Sequence, residues 1–294
     1  MPDAPLAPDV PAIVFDRVSL AFDDLVVLRE VSFQVPDGDM TILLGPSGSG
    51  KSVILKLTLG LLRPDSGSIA VHGEPIEHLT EQDLIAVRDR IGMLFQETAL
   101  FDSLTVGENV AFKLEDQRRM DIHGIRARVQ EVLQFVGLDA CADRLPAQLS
   151  GGQRRRVAIA RAMAAAPRLL LLDDPTSGLD PITARTVLAE IVKLRDLRHV
   201  SGLVVTHHLH DAFYIATHEA VVERGAVTIR RRSAERAGRA HFLVLGDGDL
   251  RFDGTARALL DSEDPWIVTC LSGWVPPLTL DAPPATLAGE AHGG

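Results

Sequence analysis

Short apolar runs separated by polar turns dominate the sequence, and several of them predict strands. Residues 40–44, 90–96 and 202–206 are mainly apolar, and 169–172 is a run of four leucines. The leucine run and its flanks are typical of a parallel strand that is buried on both faces. Residues 182–197 instead place apolar side chains on one face of a helix. This mixture of strands and helices predicts an α/β fold with a parallel sheet.

Two other regions surround this predicted core. Residues 12–35 contain short β-type runs split by acidic turns, which predicts an antiparallel flap. Residues from about 97 to 160 are mostly helical in pattern and predict a helical subdomain. We expect residues 1–11 to be a disordered lead and residues 262–294 to be a C-terminal extension with a disordered end.

The apolar run 40–44 leads into a Gly-rich loop that opens a helix. The loop matches the P-loop pattern G-x-x-x-x-G-K-[ST] in the strand–loop–helix context that the pattern requires. Glycines let backbone N–H groups turn inward toward an anion, and the helix dipole favours negative charge at the same point. The residues predicted to bind the phosphates are Gly45, Pro46, Ser47, Gly48, Ser49, Gly50, Lys51 and Ser52.

Polar side chains follow two of the predicted strands at the point where each strand ends. Asp173 and Asp174 follow the leucine run, and His207 follows 202–206. Ligands of open α/β sheets bind outside the carboxyl ends of the strands. In a P-loop protein, acidic residues at this position form the second element on the magnesium side. We therefore expect these three side chains to serve the site that the P-loop begins.

A second Gly-rich helix start occurs at residues 149–165. Ser150 is a natural N-cap, and Gly151 and Gly152 leave the N–H groups of the first turn open. An Ala-rich amphipathic helix follows. This arrangement predicts another helix N-terminus that can receive an anion, the alternative being an ordinary capped helix that happens to contain glycines.

In order and spacing, these motifs resemble the nucleotide-binding subunit of ATP-binding cassette (ABC) transporters. The resemblance extends over about residues 12–261 and includes GPSGSGKS, LSGGQ at 149–153, LLLLDD at 169–174 and SGLD at 177–180. It implies a P-loop NTPase with a RecA-like parallel-sheet core, an N-terminal antiparallel flap and an inserted helical subdomain. It also implies ATP and Mg²⁺ as cofactors.

The resemblance assigns roles around Mg²⁺ and the attacking water. Ser52, Asp173 and Gln96 match the positions that hold or reach the metal ion. Asp174 matches the position of the general base, and His207 matches the switch histidine that orients the water and contacts the γ-phosphate.

Further roles follow from the face-to-face dimer that the family implies. Phe22 is expected to stack on the purine, the alternative being a core residue. The D-loop aspartate matches Asp180. The residues expected to reach the γ-phosphate from the second subunit are Ser150, Gly151, Gly152 and Gln153.

The expected partners are a second copy of the chain and an integral-membrane permease. A narrower resemblance, to the ATPase of Mla-type phospholipid transporters, adds an MCE-type lipid-binding protein. It is based on MLFQETALFDSLTVGENVAFKL, PTSGLDPITA and DGTARALLDSEDPWIVTCLSG. Cassettes of amino-acid and other small-solute importers share much of this sequence, and such an importer is the alternative to the phospholipid transporter. A DNA-repair or translation cassette is disfavoured, because the chain has one signature motif and no long heptad pattern.

Two residues depart from the family. Asp174 stands where the family normally has glutamate, and its side chain is one methylene shorter. Because proton abstraction requires heavy atoms within roughly 3 Å, we expect slow hydrolysis, with a nucleotide-locked switch as the extreme case. His208 stands where many relatives have an acidic residue.

Composition limits the remaining possibilities. The net charge of −10 argues against nucleic acid as a partner, and no apolar run approaches the roughly 20 residues of a membrane span. The N-terminus does not resemble a secretory signal, and Cys141 and Cys270 have no metal or redox spacing. We expect a cytoplasmic protein that is peripheral at the inner face of the cell membrane. The arginine-rich stretch 219–240 is interpreted as a solvated, flexible insertion in preference to a surface for anionic lipid or a partner.

Overall fold

The computed structural model describes residues 10–118 and 120–272. The predicted disorder of residues 1–9 and of the end of the C-terminal extension lies outside the described residues. The strands are β1 (Ile13–Phe22), β2 (Leu25–Val35), β3 (Met40–Leu44), β4 (Ser66–Val71), β5 (Glu74–Pro75), β6 (Ile91–Leu94), β7 (Leu169–Asp173), β8 (Ser201–Thr206), β9 (His218–Glu223), β10 (Ala226–Arg231), β11 (His241–Gly246) and β12 (Asp249–Thr255).

The described residues also form ten α-helices and two 3₁₀ turns. The α-helices are α1 (Lys51–Thr58), α2 (Glu81–Asp89), α3 (Val106–Gln117), α4 (Ile122–Phe135), α5 (Gly151–Ala164), α6 (Pro181–Arg198), α7 (Leu209–Thr217), α8 (Ala234–Gly238), α9 (Ala256–Leu260) and α10 (Pro265–Ser272). The 3₁₀ turns are Asp139–Cys141 and Pro146–Gln148. Within 10–118 and 120–272, no helix combines the length and the apolar composition that crossing a membrane requires.

The central sheet has the strand order β12-β11-β3-β8-β7-β6. Its five strands from β11 to β6 are parallel, and β12 is antiparallel at one edge. Both faces are covered, because successive side chains of β3 enter different clusters: Ile42 and Leu44 pack on one face and Leu43 on the other. The continuous apolar runs of the sequence are explained by this two-sided burial.

Two smaller sheets accompany the central one. The N-terminal sheet has the order β2-β1-β4-β5, and its pairs are antiparallel, as the sequence predicts for the flap. It packs with α1 on one face of the central sheet. On the opposite face lie the helices of the middle region, α3, α4 and α5. The predicted α/β fold with an antiparallel flap and a helical subdomain is therefore confirmed.

The segment 219–240 is more regular than the flexible insertion that the sequence predicts. It contains most of the β9–β10 hairpin and α8. Glu219 receives hydrogen bonds from Arg230 at 3.0 Å and from Arg236 at 3.1 Å, and Arg232 donates to Asp196 at 3.1 Å. Much of the arginine charge is thus neutralised within the chain, which weakens the interpretation as a lipid-binding surface.

Candidate nucleotide-binding site

The sheet register brings the predicted site residues to one edge. Leu44 of β3 pairs with Thr206 of β8, and Asp173 of β7 pairs with Val205. The P-loop begins directly after Leu44. The carboxyl ends of three adjacent strands therefore deliver the P-loop, the two aspartates and His207 to the same crevice.

The P-loop backbone explains why glycine is needed at particular positions. Gly48 and Gly50 have φ angles of +81° and +100°, in the left-handed region that side chains disfavour. A Cβ atom on Gly45 would lie 2.3 Å from the carbonyl oxygen of Leu245. The loop is therefore held tightly against β11, the strand beside β3.

Lys51 begins α1 and folds back over the P-loop. Its Nζ donates to the carbonyl oxygens of Gly45 at 2.9 Å and Pro46 at 2.8 Å. Burial lowers the pKa of Lys51, and the nearby carboxylates of Asp174 and Asp173 oppose this change. The ammonium group thus lies at the phosphate-binding loop with two acidic groups close by.

Ser52 and Asp173 form a pair of oxygen ligands beside the loop. The Ser52 Oγ donates to Asp173 Oδ1 at 3.2 Å. Burial raises the pKa of Asp173, as does the charge of Asp174, whereas the Ser52 hydrogen bond and Lys51 lower it. A divalent cation would offset the cost of burying this carboxylate, and a hydroxyl with a carboxylate suits the oxygen preference of Mg²⁺. The two side chains therefore fit the predicted metal site.

Asp174 is held by two residues of the neighbouring strand end. Its Oδ2 lies 2.6 Å from His207 Nδ1, and its Oδ1 accepts a hydrogen bond from the Thr206 hydroxyl at 3.1 Å. Its backbone N–H donates to the Val205 carbonyl at 2.8 Å, and its φ angle is +47°. The predicted base and the predicted switch histidine are thus in direct contact.

Gln96 lies at the same sheet edge, two residues beyond β6. Leu94 pairs with Leu172, so the chain after β6 runs beside Asp173. The Gln96 carbonyl accepts a hydrogen bond from Arg155 at 2.6 Å. The buried Arg155 guanidinium also donates to Ser177 O at 3.1 Å, which ties the Gln96 loop to the segment after Asp174.

The LSGGQ segment starts α5, away from the P-loop helix. Ser150 caps the helix, since its Oγ accepts from Gln153 N at 3.3 Å while Gln153 Oε1 accepts from Ser150 N at 2.9 Å. A Cβ on Gly152 would lie 2.0 Å from Thr183 Cγ2, whereas one on Gly151 would find its nearest atom at 3.5 Å. Gly152 therefore permits the close approach of α5 to α6.

Asp180 and Phe22 occupy positions outside the core. Asp180 caps α6, and its Oδ1 accepts from Ile182 N and Thr183 N at 3.1 Å each. Phe22 ends β1 at a hairpin and is 44% exposed, so the alternative of a core residue is wrong. The following strand β2 approaches the P-loop, because a Cβ on Gly50 would lie 3.2 Å from Val27. Purine stacking by Phe22 stays a prediction.

Sequence reasoning missed two residues that organise this site. Thr206 had no motif of its own, although its place before His207 at a strand end was a usable signal. Arg155 is one of three consecutive arginines, and nothing in that run indicates that the middle one is buried.

Comparison with known proteins decides the family. Residues 28–177 match the family described as ABC transporter. The chain belongs to the ABC transporter family. Two dimeric structures of the ATP-binding cassette MJ0796, one bound to ADP and Pi, align with TM-scores of 0.68 and 0.69 at 29% identity. Each alignment covers 83% of this chain and 98% of the other.

The curated relatives of this ABC cassette include import proteins. The sulfate/thiosulfate import ATP-binding protein CysA of Synechocystis sp. is 40% identical over 217 residues, which cover 74% of this chain and 59% of the relative. Its Mycobacterium tuberculosis counterpart (strain H37Rv) is 42% identical over 216 residues, covering 74% and 60%. The cassette thus spans about 60% of the length of these relatives. These relatives support the broad interpretation as an ABC cassette. They do not support the Mla-type subtype or an MCE-type partner.

Proposed function

We propose that this ABC cassette binds and hydrolyses ATP between two copies of itself and powers a membrane permease that imports a small solute. The observation that carries the ATPase proposal is the contact between Asp174 and His207 beside the P-loop lysine. The import proposal comes from the sulfate/thiosulfate importers that the chain is similar to. This is the small-solute alternative of the sequence analysis, and it replaces phospholipid as the leading substrate class.

The P-loop would bind the phosphates of ATP through its own backbone and Lys51. The ammonium group of Lys51 now hydrogen bonds to two loop carbonyls and would turn toward the bound phosphates. Ser52 and Asp173 would hold Mg²⁺, with Gln96 at the same edge, and the ion would offset the phosphate charge. Phe22 would lie against the purine, on the hairpin beside Gly50.

Asp174 would accept the proton of the attacking water, and His207 would orient that water. Each Asp174 oxygen already has one hydrogen-bonding partner, and these contacts hold the carboxylate at the neighbouring strand end. Its side chain is also one methylene shorter than that of glutamate. Both effects favour slow hydrolysis and a long-lived ATP-bound dimer.

The second subunit would complete each nucleotide site. Ser150 and the open first turn of α5 would receive the γ-phosphate across the interface. Two features support such a pairing: the MJ0796 neighbours are dimers, and Ile182 beside the D-loop is 81% exposed. An apolar side chain this exposed near Asp180 is suited to contact with another subunit.

The permease would dock beside the Gln96 loop. Phe95, Phe101 and Phe112 are 41%, 42% and 48% exposed, and the rings of Phe101 and Phe112 lie 4.6 Å apart. Exposed aromatic residues next to one another are typical of the centre of protein interfaces. Bound in this way, the cassette would lie peripherally at the inner face of the membrane.

The test is transport by the complex of the chain with the permease that copurifies with it from native membranes, reconstituted in vesicles. Lys51→Ala is the inactive variant, and Lys56→Ala, on an exposed face of α1, is its matched charge control. Uptake of sulfate or thiosulfate that requires ATP and Lys51 would support the proposal. Uptake of amino acids would keep the importer and change its substrate, whereas phospholipid movement without solute uptake would overturn the import proposal. Absence of ATP turnover in the wild-type complex would overturn the ATPase proposal itself.

A further inference from the structure

A cluster of three metal-ligating side chains lies at the end of β7 and β8. Asp174, His207 and His208 each offer one ligand atom, and these atoms all lie within 4.8 Å of one another. The two imidazole rings have centroids 3.9 Å apart. The proposed ATPase mechanism uses Asp174 and His207 and leaves His208 without a role.

The cluster is preorganised by one buried hydroxyl. Thr206 Oγ1 donates to Asp174 Oδ1 at 3.1 Å and accepts from the backbone N–H of His208 at 3.0 Å. The Thr206 side chain is fully buried, so this bridge is shielded from water. Groups that fix a metal ligand from behind strengthen metal binding, commonly by 10–100-fold.

The donor set selects a particular class of ion. Two imidazole nitrogens with one carboxylate oxygen suit Zn²⁺ and similar borderline cations, whereas Mg²⁺ prefers oxygen ligands only. Tetrahedral bonds of about 2.0–2.1 Å place two ligand atoms roughly 3.3 Å apart. The distance of 2.6 Å between His207 Nδ1 and Asp174 Oδ2 must therefore lengthen slightly on metal binding. The exposed His208 ring can rotate to bring its ligand nitrogen closer to the other two ligand atoms.

We propose that Asp174, His207 and His208 form a binding site for Zn²⁺ and that the bound ion suppresses ATP hydrolysis. His208 is exposed, so the cluster is open to solvent, from which a water molecule would supply a fourth ligand. Suppression rests on the proposed function, because it follows from Asp174 and His207 being withdrawn from the attacking water. Binding itself does not depend on that function. This site is separate from the Ser52–Asp173 pair that fits Mg²⁺.

Binding is tested first without nucleotide, using the full chain after chelator treatment. Co²⁺ serves as the probe because its visible absorption reports tetrahedral ligands, and Zn²⁺ is then added to displace it. All proteins carry Cys270→Ser so that this thiol does not compete. His208→Gln is compared with His210→Gln, whose side chain is 68% exposed and lies outside the cluster.

We expect one Co²⁺ per chain, displaced by Zn²⁺, with affinity at least tenfold weaker in His208→Gln and unchanged in His210→Gln. Equal affinity in all three proteins, or no tetrahedral Co²⁺ spectrum, would overturn the proposed site. Circular dichroism of each variant separates loss of the ligand from loss of the fold.

Inhibition is tested next by ATP turnover at saturating Mg²⁺ with buffered free Zn²⁺. In the same Cys270→Ser background, the parent and His210→Gln should lose turnover over the Zn²⁺ range that displaces Co²⁺, and the midpoint for His208→Gln should rise at least tenfold. Unchanged turnover at full Zn²⁺ occupancy would overturn the inhibitory role. A chain with no turnover in the absence of Zn²⁺ would overturn the ATPase proposal instead, while the Co²⁺ titration would still decide the metal site.

Discussion

One oxygen of the Asp174 carboxylate lies 2.6 Å from Nδ1 of His207, and the other accepts a hydrogen bond from Thr206. The residue proposed to take a proton from water is thus held at the neighbouring strand end through both of its carboxylate oxygens. Glutamate at this position would carry the carboxylate one methylene further from the backbone and so extend its reach.

Asp174→Glu should therefore raise steady-state ATP turnover by about tenfold or more, since a well-placed general base contributes about 10²–10⁴-fold. Phosphate release at saturating ATP is the measurement. The double variant with Lys51→Ala should return to background, which excludes a contaminating ATPase. Turnover of Asp174→Glu at or below that of the parent would contradict the argument from side-chain length.

Thr206→Val removes the hydroxyl that holds Asp174 Oδ1 and the His208 backbone. We expect a loss of about 1–3 kcal/mol in the free energy of unfolding, since buried groups are left without a partner, together with lower ATP turnover. Thr58→Val is the control, because that buried hydroxyl bonds only within α1, to Ile54 O at 2.9 Å. Both variants should unfold at lower urea concentrations, but only Thr206→Val should alter ATP turnover. Equal ATP turnover in the two variants would contradict a positioning role for Thr206.

Gly152→Ala tests the close approach of α5 and α6. The new methyl would lie 2.0 Å from Thr183 Cγ2, so the helices must separate or Thr183 must rotate, at a cost of about 1–3 kcal/mol in the free energy of unfolding. Gly151→Ala has room and should change that free energy by less than about 0.5 kcal/mol. Urea denaturation compares the two, and adding Thr183→Ser, which removes the obstructing methyl, should restore Gly152→Ala. Equal effects of the two alanines would contradict the packing argument.

Asp173→Asn should change how stability depends on pH. Burial raises the pKa of Asp173, so the folded protein keeps this proton to a higher pH than the unfolded chain does. The free energy of unfolding therefore falls as the pH rises from the ordinary aspartate pKa, about 3.9, through the raised pKa of Asp173. The asparagine variant should be more stable than the parent at neutral pH, with the difference vanishing in acid, and it should have lost Mg²⁺-dependent turnover.

Asp180→Asn is the matched comparison, because hydrogen bonds from Thr183 lower the pKa of this exposed carboxyl. For Asp180 the pH dependence of stability has the opposite sign, because the folded protein favours the ionised carboxylate. The asparagine variant should therefore be no more stable than the parent at neutral pH. Thermal unfolding across the pH range measures both. A stabilising effect of equal size in the two variants would show that charge removal in general, and not the burial of Asp173, is responsible.

The site elements that could be predicted from sequence are those whose residues are adjacent in the chain. Gly45–Gly50 and Lys51 form one continuous loop and helix start, and Asp173 directly follows four buried leucines. In these segments the strand, the turn and the chemical groups are specified together. The capping of α5 by Ser150 was predicted in the same way, and the structure confirms it.

The features that could not be predicted from the sequence depend on contacts between segments that are distant in the chain. β11 pairs in parallel with β3 and presents Leu245 to Gly45, although the two strands lie far apart in the sequence. The segment 219–240 was predicted to be a solvated, flexible insertion, and the partner of its Arg232, Asp196, lies on α6, far away in the chain. No local pattern indicates such pairings.

Arg155 has a mechanical consequence. It lies two residues beyond the LSGGQ segment on α5, and its guanidinium donates hydrogen bonds to the carbonyls of Gln96 and Ser177. The helix that would touch the partner's nucleotide is therefore fastened, near the same end, to the loop beside the exposed phenylalanines. Because these hydrogen bonds join the loop to the first turns of α5, a displacement of the loop would also displace the LSGGQ segment, so that a signal could pass from one surface of the cassette to the other.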